Sequence, residues 1–177
     1  MEVKITMYYH NISKDDQLNG DGLRVVLWVS GCKHHCPECQ NKQTWEVDSG
    51  IPFDYSAFSE IFEELKKDYI SGITFSGGDP LHSSNLYDIL NLCISIKSHY
   101  KNKSIWLYTG YTFEELIDHS YLGHKRRSIL EYCDVLVDGR YEKDLRNANL
   151  KWRGSSNQRV IDVQRSLKEH KIVLWCD

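Results

Sequence analysis

Apolar positions along the chain follow two alternating periods. Gly22 to Ser30, GLRVVLWVS, is a nearly continuous apolar run rich in β-branched residues, which predicts a buried strand. From Asp54 to Asp68, Phe58, Ile61, Phe62 and Leu65 recur at helical spacing and predict an amphipathic helix. GITFSGG, Gly72 to Gly78, is a short strand running into a glycine turn. Ser83 to Tyr100 predicts a second helix, with Leu86, Ile89, Leu90, Cys93, Ile94 and Ile96 mostly on one face. SIWLYTG, Ser104 to Gly110, is the next strand. TFEELIDH opens with the capping-box pattern Thr112-x-x-Glu115. RRSILEYC, Arg126 to Cys133, reads as helical, and HKRR, His124 to Arg127, as its solvated start. CDVLVDG, Cys133 to Gly139, is a fourth strand. A short helix from about Asp162 and an apolar strand or docked segment, Ile172 to Trp175, close the pattern. Trp28, Trp106, Trp152 and Trp175 read mostly as packing residues.

Strands alternating with helices imply parallel pairing through crossover helices. In such folds ligands bind at the carboxyl ends of the strands. Four chemically unusual loops fall at such ends: the cysteine loop after Ser30, SGGDP, YTGY and VDGRY. The pattern leaves the strand order open.

Composition narrows the class. The chain has 177 residues, enough for one domain with a real core. Hydrophobic residues at 41% and charged residues at 27% are ordinary for a globular protein. A net charge of −3 carries no electrostatic footprint for nucleic acid. No apolar run reaches the roughly 18 residues of a membrane span. The first residues, MEVKITMYYHN, lack the apolar core of a secretory signal. The expected compartment is the cytoplasm, where thiols stay reduced, so a tight cysteine group reads as a metal or redox site.

That group is Cys32, Cys36 and Cys39, three thiols within eight residues. Zinc would need a fourth ligand, which His34 or His35 could supply. A [4Fe–4S] cluster held by three thiolates would instead keep one iron open, as catalytic metal sites do. Cys93, Cys133 and Cys176 read as small buried residues. His34 and His35 read as solvated loop residues. In FSGGDPL, Gly77 and Gly78 would let backbone approach a ligand, and Asp79 adds an acceptor. Asp138, before Gly139, reads as a turn acceptor. Arg153 to Arg159 reads as a polar, basic surface loop or cap.

The C-x3-C-x2-C loop after the first predicted strand resembles the radical S-adenosylmethionine family. LWVSGC, CPECQNKQTW, FSGGDPLH, IWLYTGYTFEEL, VLVDGRYEKDL and LKWRGSSNQRVID resemble one branch, the activating proteins of anaerobic (class III) ribonucleoside-triphosphate reductases. They span about Arg24 to Asp162. The resemblance implies an α/β fold, a partial (β/α) barrel of mostly parallel strands with outer helices. It implies one activase domain over 1–177, with a core of about 22–162 and a C-terminal extension, 163–177. It also implies a [4Fe–4S] cluster with one open iron, ligated by Cys32, Cys36 and Cys39, and S-adenosyl-L-methionine as cofactor. Reductive cleavage of that cofactor gives a 5′-deoxyadenosyl radical, which takes hydrogen from a glycine of the reductase.

In this scheme Gly77, Gly78 and Asp79 hold the methionyl end, with aspartate where the family has glutamate. Glu38 and Gln40 border the adenine, largely through backbone atoms. Thr109 and Gly110 face the ribose or carboxylate. No side chain is assigned as a catalytic acid or base. The Arg153–Arg159 loop would shape the active-site rim or the partner surface. The implied partners are the reductase large subunit and a flavodoxin- or ferredoxin-type electron donor, with no nucleic acid and no membrane. The family often has glycine before the third cysteine and an aromatic after it, where this chain has Glu38 and Gln40. An activase for a glycyl-radical lyase would place an aromatic at position 38. A zinc-stabilised binding module is the alternative from another class. A chain this short suggests an incomplete barrel, open on one side to admit a polypeptide.

Overall fold

A computed structural model describes residues 7–175. Among them the chain forms β1 (Tyr8–Asp16), β2 (Leu23–Val29), β3 (Ile51–Pro52), α1 (Tyr55–Leu65), β4 (Ile70–Gly77), α2 (Leu86–His99), β5 (Ser104–Tyr108), α3 (Phe113–Leu116), α4 (Tyr121–Leu130), β6 (Val135–Asp138), β7 (Arg159–Asp162) and α5 (Val163–Glu169). The strands make one sheet in the order β3-β1-β2-β4-β5-β6-β7. No described helix is long and apolar enough to cross a membrane.

The centre follows the predicted logic. β2, β4, β5 and β6 pair in parallel, so Val29, Gly77, Tyr108 and Asp138 end at one edge of the sheet. The expectation of mostly parallel strands does not hold across the whole sheet, because β1–β2, β1–β3 and β6–β7 are antiparallel. Only residues 17–22 join β1 to β2, too few for a crossover connection. The link from β6 to β7 carries a single 3-10 turn, Lys143–Leu145, in place of a crossover helix. β1, β3 and β7 have no counterpart in the hydrophobic pattern. β1 alternates weakly, YYHNISKDD, and its pattern does not separate it from a polar leader.

Helix starts follow local chemistry. Asp54 caps α1 by accepting the Ala57 N–H at 3.0 Å. The predicted capping box forms at α3: Thr112 Oγ1 accepts from Glu115 N–H, and Glu115 Oε2 from Thr112 N–H. Asp162 caps α5. One core joins the sheet to the helices, with Leu27, Phe75, Leu107 and Leu136 packed with Ile61, Ile89, Cys93 and Ile129. Cys93 and Cys133 are buried, as read from sequence; Cys176 lies outside the described residues. A smaller cluster, Trp106, Val135, Val137 and Val160, packs with Tyr108 and Trp152. Arg24 is buried beside it, its guanidinium 5.4 Å from the Trp106 ring centroid. Its hydrogen-bond partners are neutral: Thr74 Oγ1, Ser104 Oγ and the carbonyls of Asp21, Ile73 and Ser104. Burial lowers its pKa to about 10.

One surface reading changes and one open alternative is resolved. Arg126 in HKRR is not solvated: its Nε donates to the Leu81 carbonyl at 3.1 Å, and its guanidinium lies 4.1 Å from the Tyr111 ring centroid. The segment after α5 returns to its own sheet. Leu174 bridges to Ile161, Asp162 N–H donates to the Val173 carbonyl and Trp175 N–H to the Val160 carbonyl.

The β4 end passes close to β2. Gly78 N–H donates to the Val29 carbonyl and Asp79 N–H to the Gly31 carbonyl, both at 2.7 Å. A Cβ on Gly78 would stand 2.7 Å from the Gly31 oxygen and 2.9 Å from the Thr44 oxygen. Gly77, at φ +103, would place one 2.7 Å from the Val29 nitrogen. These contacts are with backbone, which cannot swing aside. Gly78→Ala is therefore expected to destabilise the protein by about 1–3 kcal/mol, measured as a lower urea midpoint at unchanged slope. A second expected loss concerns Arg159, which joins β7 to buried Asp138 and to Glu114. Arg159→Leu leaves the Asp138 carboxylate without its cation and should cost about 3 kcal/mol. Arg159 also holds the Glu114 carboxyl below its ordinary value. That small contribution is complete above the usual carboxylate range and is lost as pH falls through the lowered value. Acid titrations of stability should thus be less steep in the variant around pH 4.

Candidate metal and cofactor site

The cysteine loop leaves β2 and is closed at its neck. Gly31 N–H donates to the Thr44 carbonyl at 2.8 Å and Cys32 N–H to the Trp45 carbonyl at 2.9 Å. Within it His35 and Glu38 adopt positive φ, turning the chain sharply between the cysteines. Cys39 N–H donates to the Cys36 carbonyl at 3.1 Å, and Asn41 N–H to Cys39 Sγ at 3.4 Å. Cys32, Cys36 and Cys39 are free thiols, each half-buried, and all three line one cavity of about 150 Å³. Burial pushes the Cys32 thiol up to about 11 and raises Cys36 as well. Metal ligation replaces those protons.

The donor set fits an iron–sulfur cluster. Three soft sulfur ligands face a shared space with no disulfide between them. Among the described residues no group of three His, Cys, Asp or Glu side chains forms a site for a single metal ion.

The opposite wall comes from the ends of the parallel strands. Ser76, Gly77, Gly78 and Asp79 close β4, Tyr108, Thr109 and Gly110 close β5, and Gly139 and Tyr141 follow β6. Asp79, Thr109 and Gly110 are thus brought to the cysteines, as are both glycines of the turn. The Asp79 carboxylate is buried and accepts from Thr109 Oγ1 at 2.9 Å, Leu81 N–H at 2.8 Å, Gly110 N–H at 3.1 Å and His34 Nε2 at 2.8 Å. Gln40 is not on this cavity. It lines an adjoining one of about 420 Å³, which shares Asn41, Ser76, Tyr108 and Tyr141 with the first. Glu38 lines neither and is exposed, 3.7 Å from Lys143 Nζ. Asp138 is a buried acceptor, though for the distant Phe113 N–H and Arg159 and not for a local turn.

His34 overturns its solvated reading. Its side chain is only 2% exposed, and its ring packs edge-on against Tyr111 at 4.6 Å. Nothing in the local sequence separates it from His35, which stacks on Trp45 at 4.4 Å. Sequence reading also passed over Tyr141 and Gln158 as cavity residues, although both lie in stretches that carried the resemblance. From the Arg153–Arg159 loop, Gln158 lines the cysteine cavity and Arg153 and Gly154 the adjoining one. Gln158 Oε1 accepts from the N–H groups of Gly154 and Ser155, while its Nε2 donates to the Gly139 carbonyl at 3.0 Å.

Comparison with known proteins identifies the family. The model of the 4Fe-4S single cluster domain family matches residues 18–161. The anaerobic ribonucleoside-triphosphate reductase-activating protein of Enterobacteria phage T4 is 44% identical over 154 residues, covering 87% of this chain and 93% of that protein. The protein of the same name in Escherichia coli (strain K12) is 44% identical over 156 residues, covering 87% and 97%. That of Haemophilus influenzae is 38% identical over 154 residues, covering 86% and 96%. With three thiols on one cavity and relatives this similar along nearly their whole length, the chain belongs to the family of anaerobic ribonucleoside-triphosphate reductase-activating proteins.

Proposed function

We propose that this chain is a radical S-adenosylmethionine enzyme that installs a glycyl radical on an anaerobic ribonucleoside-triphosphate reductase. The observation that carries the reading is a cavity at the carboxyl ends of four parallel strands, lined by three free thiols and, among the described residues, no fourth. Cys32, Cys36 and Cys39 would ligate a [4Fe–4S] cluster and leave one iron for the cofactor. Bound together, cluster and S-adenosyl-L-methionine supply a one-electron cleavage whose product radical takes hydrogen from a glycine of the partner.

The protein's task is to hold and to exclude. Gly77, Gly78, Asp79, Thr109 and Gly110 form the wall for the methionyl end. Glu38 and Gln40 flank the adenine side, Gln40 from the adjoining cavity and Glu38 through its backbone. Tyr141 and Gln158 narrow access from the far side, which keeps water from the reacting centre. In this reading the seven-stranded sheet, with β3 and β7 at its edges, is a radical S-adenosylmethionine-type partial barrel, and residues 1–177 act as one domain. Its open side would admit the reductase large subunit. A flavodoxin- or ferredoxin-type protein in the cytoplasm would supply the electron.

Purification without oxygen, reconstitution with iron and sulfide, and reduction should give the EPR signal of a [4Fe–4S]⁺ cluster. That signal should shift when S-adenosylmethionine is added, and the matching reductase should then develop a glycyl doublet. One zinc per chain and no cluster signal would overturn the reading in favour of a metal-stabilised binding module. Cys32→Ala, Cys36→Ala and Cys39→Ala should each abolish the shifted signal, with iron content falling in parallel.

A further inference from the structure

Resting on that reading, the structure assigns Asp79 a different task from receiving the cofactor's ammonium: it is a positioning residue that clamps His34, and with it the cysteine loop, onto the ends of β4 and β5. A carboxylate offers about four acceptor sites on its two oxygens. Four donors already occupy those of Asp79: the Thr109 hydroxyl, Leu81 N–H, Gly110 N–H and His34 Nε2. Because a carboxylate only accepts, Nε2 of His34 carries the proton it shares. Asp79 is only 1% exposed, and the His34 side chain 2%. An ammonium could reach this carboxylate only by displacing a buried donor, which would then lose its partner.

The surroundings of His34 support the same assignment from two other directions. A Cβ on Gly110 would stand 2.4 Å from His34 Cδ2 and 2.7 Å from Cγ, so the space beside Gly110 holds the imidazole. The ring's edge-on contact with Tyr111 is backed by Arg126, which lies over the same Tyr111 ring and bonds its hydroxyl at 2.8 Å. His34 lies midway between Cys32 and Cys36. Fixing its ring therefore limits where those two thiols can go before any iron arrives. The cofactor's ammonium is met elsewhere on the cavity wall.

Two measurements on the full chain test this. The first uses metal-free, reduced protein and follows iodoacetamide alkylation of each cysteine by mass spectrometry. His34→Leu and Asp79→Asn should label Cys32 and Cys36 about tenfold faster or more, the scale of losing a hydrogen bond to a charged group. His34→Gln, which keeps a donor at the Nε2 position, should restore slow labelling. Buried Cys93 and Cys133 report the global fold; if His34→Leu exposes them too, His34→Gln and Asp79→Asn carry the comparison. Unchanged labelling in Asp79→Asn would overturn the clamp.

The second measurement compares binding of S-adenosylmethionine with its analogue lacking the amino group, in reconstituted wild type and Asp79→Asn. The clamp predicts that both proteins prefer the natural cofactor by the same factor, within about threefold. Loss of that preference in Asp79→Asn alone would show that Asp79 receives the ammonium and would overturn the assignment. If the reconstituted wild type fails to bind the cofactor at all, the enzymatic reading fails, while the labelling result still decides the clamp.

Discussion

The active end of this protein depends on how closely β4 passes β2. Two 2.7 Å hydrogen bonds, from Gly78 to Val29 and from Asp79 to Gly31, join the end of one parallel strand to the start of the cysteine loop. No side chain fits between them. Asn85 reinforces the seam from the start of α2, donating to the carbonyls of Ser30 and Asp79 at 2.8 and 3.0 Å. A loop carrying three thiols is entropically costly to order. Here that order comes from the rigid edge of a parallel sheet. Sequence chemistry invites the idea that the glycines make room for a ligand; their first obligation is to make room for the protein's own backbone.

From that seam the order spreads to the other strand ends. Asp79 reaches across to Thr109 and Gly110 after β5, and back to His34 in the loop. Asp138 has a similar role at the end of β6, anchoring the start of α3 and receiving Arg159 from β7. The two buried carboxylates are thus satisfied by donors from several elements. Such fully satisfied polar groups specify one arrangement and disfavour slipped ones. Asp79 itself lines the cysteine cavity, as does Gly139 next to Asp138.

The smaller cluster around Trp106 gives the sheet a second covered surface. Arg24 lies buried there with neutral acceptors only, and Trp152 and Trp175 both pack edgewise on Trp106. Trp152 comes from the long connection that ends in the Arg153–Arg159 loop, and Trp175 from the segment after α5. Aromatic packing of this kind draws late segments of the chain to the sheet. It also explains why the last described residues dock on β7, a matter that their apolar character alone left undecided.

Short-range signals in the chain determined three helix starts, since Asp54, the Thr112–Glu115 box and Asp162 act within one turn, whereas α4, capped by Ser120, begins ahead of the predicted start at His124. They also determined the central strands, because a strand covered on both faces needs an unbroken apolar run. The cysteine spacing and the glycine turn marked the site, and the placing of each odd loop after a strand brought them to one edge. Tertiary structure decided what depends on distant partners. Antiparallel β1, β3 and β7 follow from connections too short or too irregular for a crossover, and β1's weak alternation could not announce it. Gln40 and Glu38 were separated from the cysteine cavity by the turns around them. His34 and His35 are neighbours of identical type; one side chain is buried and the other exposed only because Asp79 and Tyr111, far along the chain, close over the first. A local pattern records which residues can donate, accept or pack, whereas the identity of the partner is set by the fold.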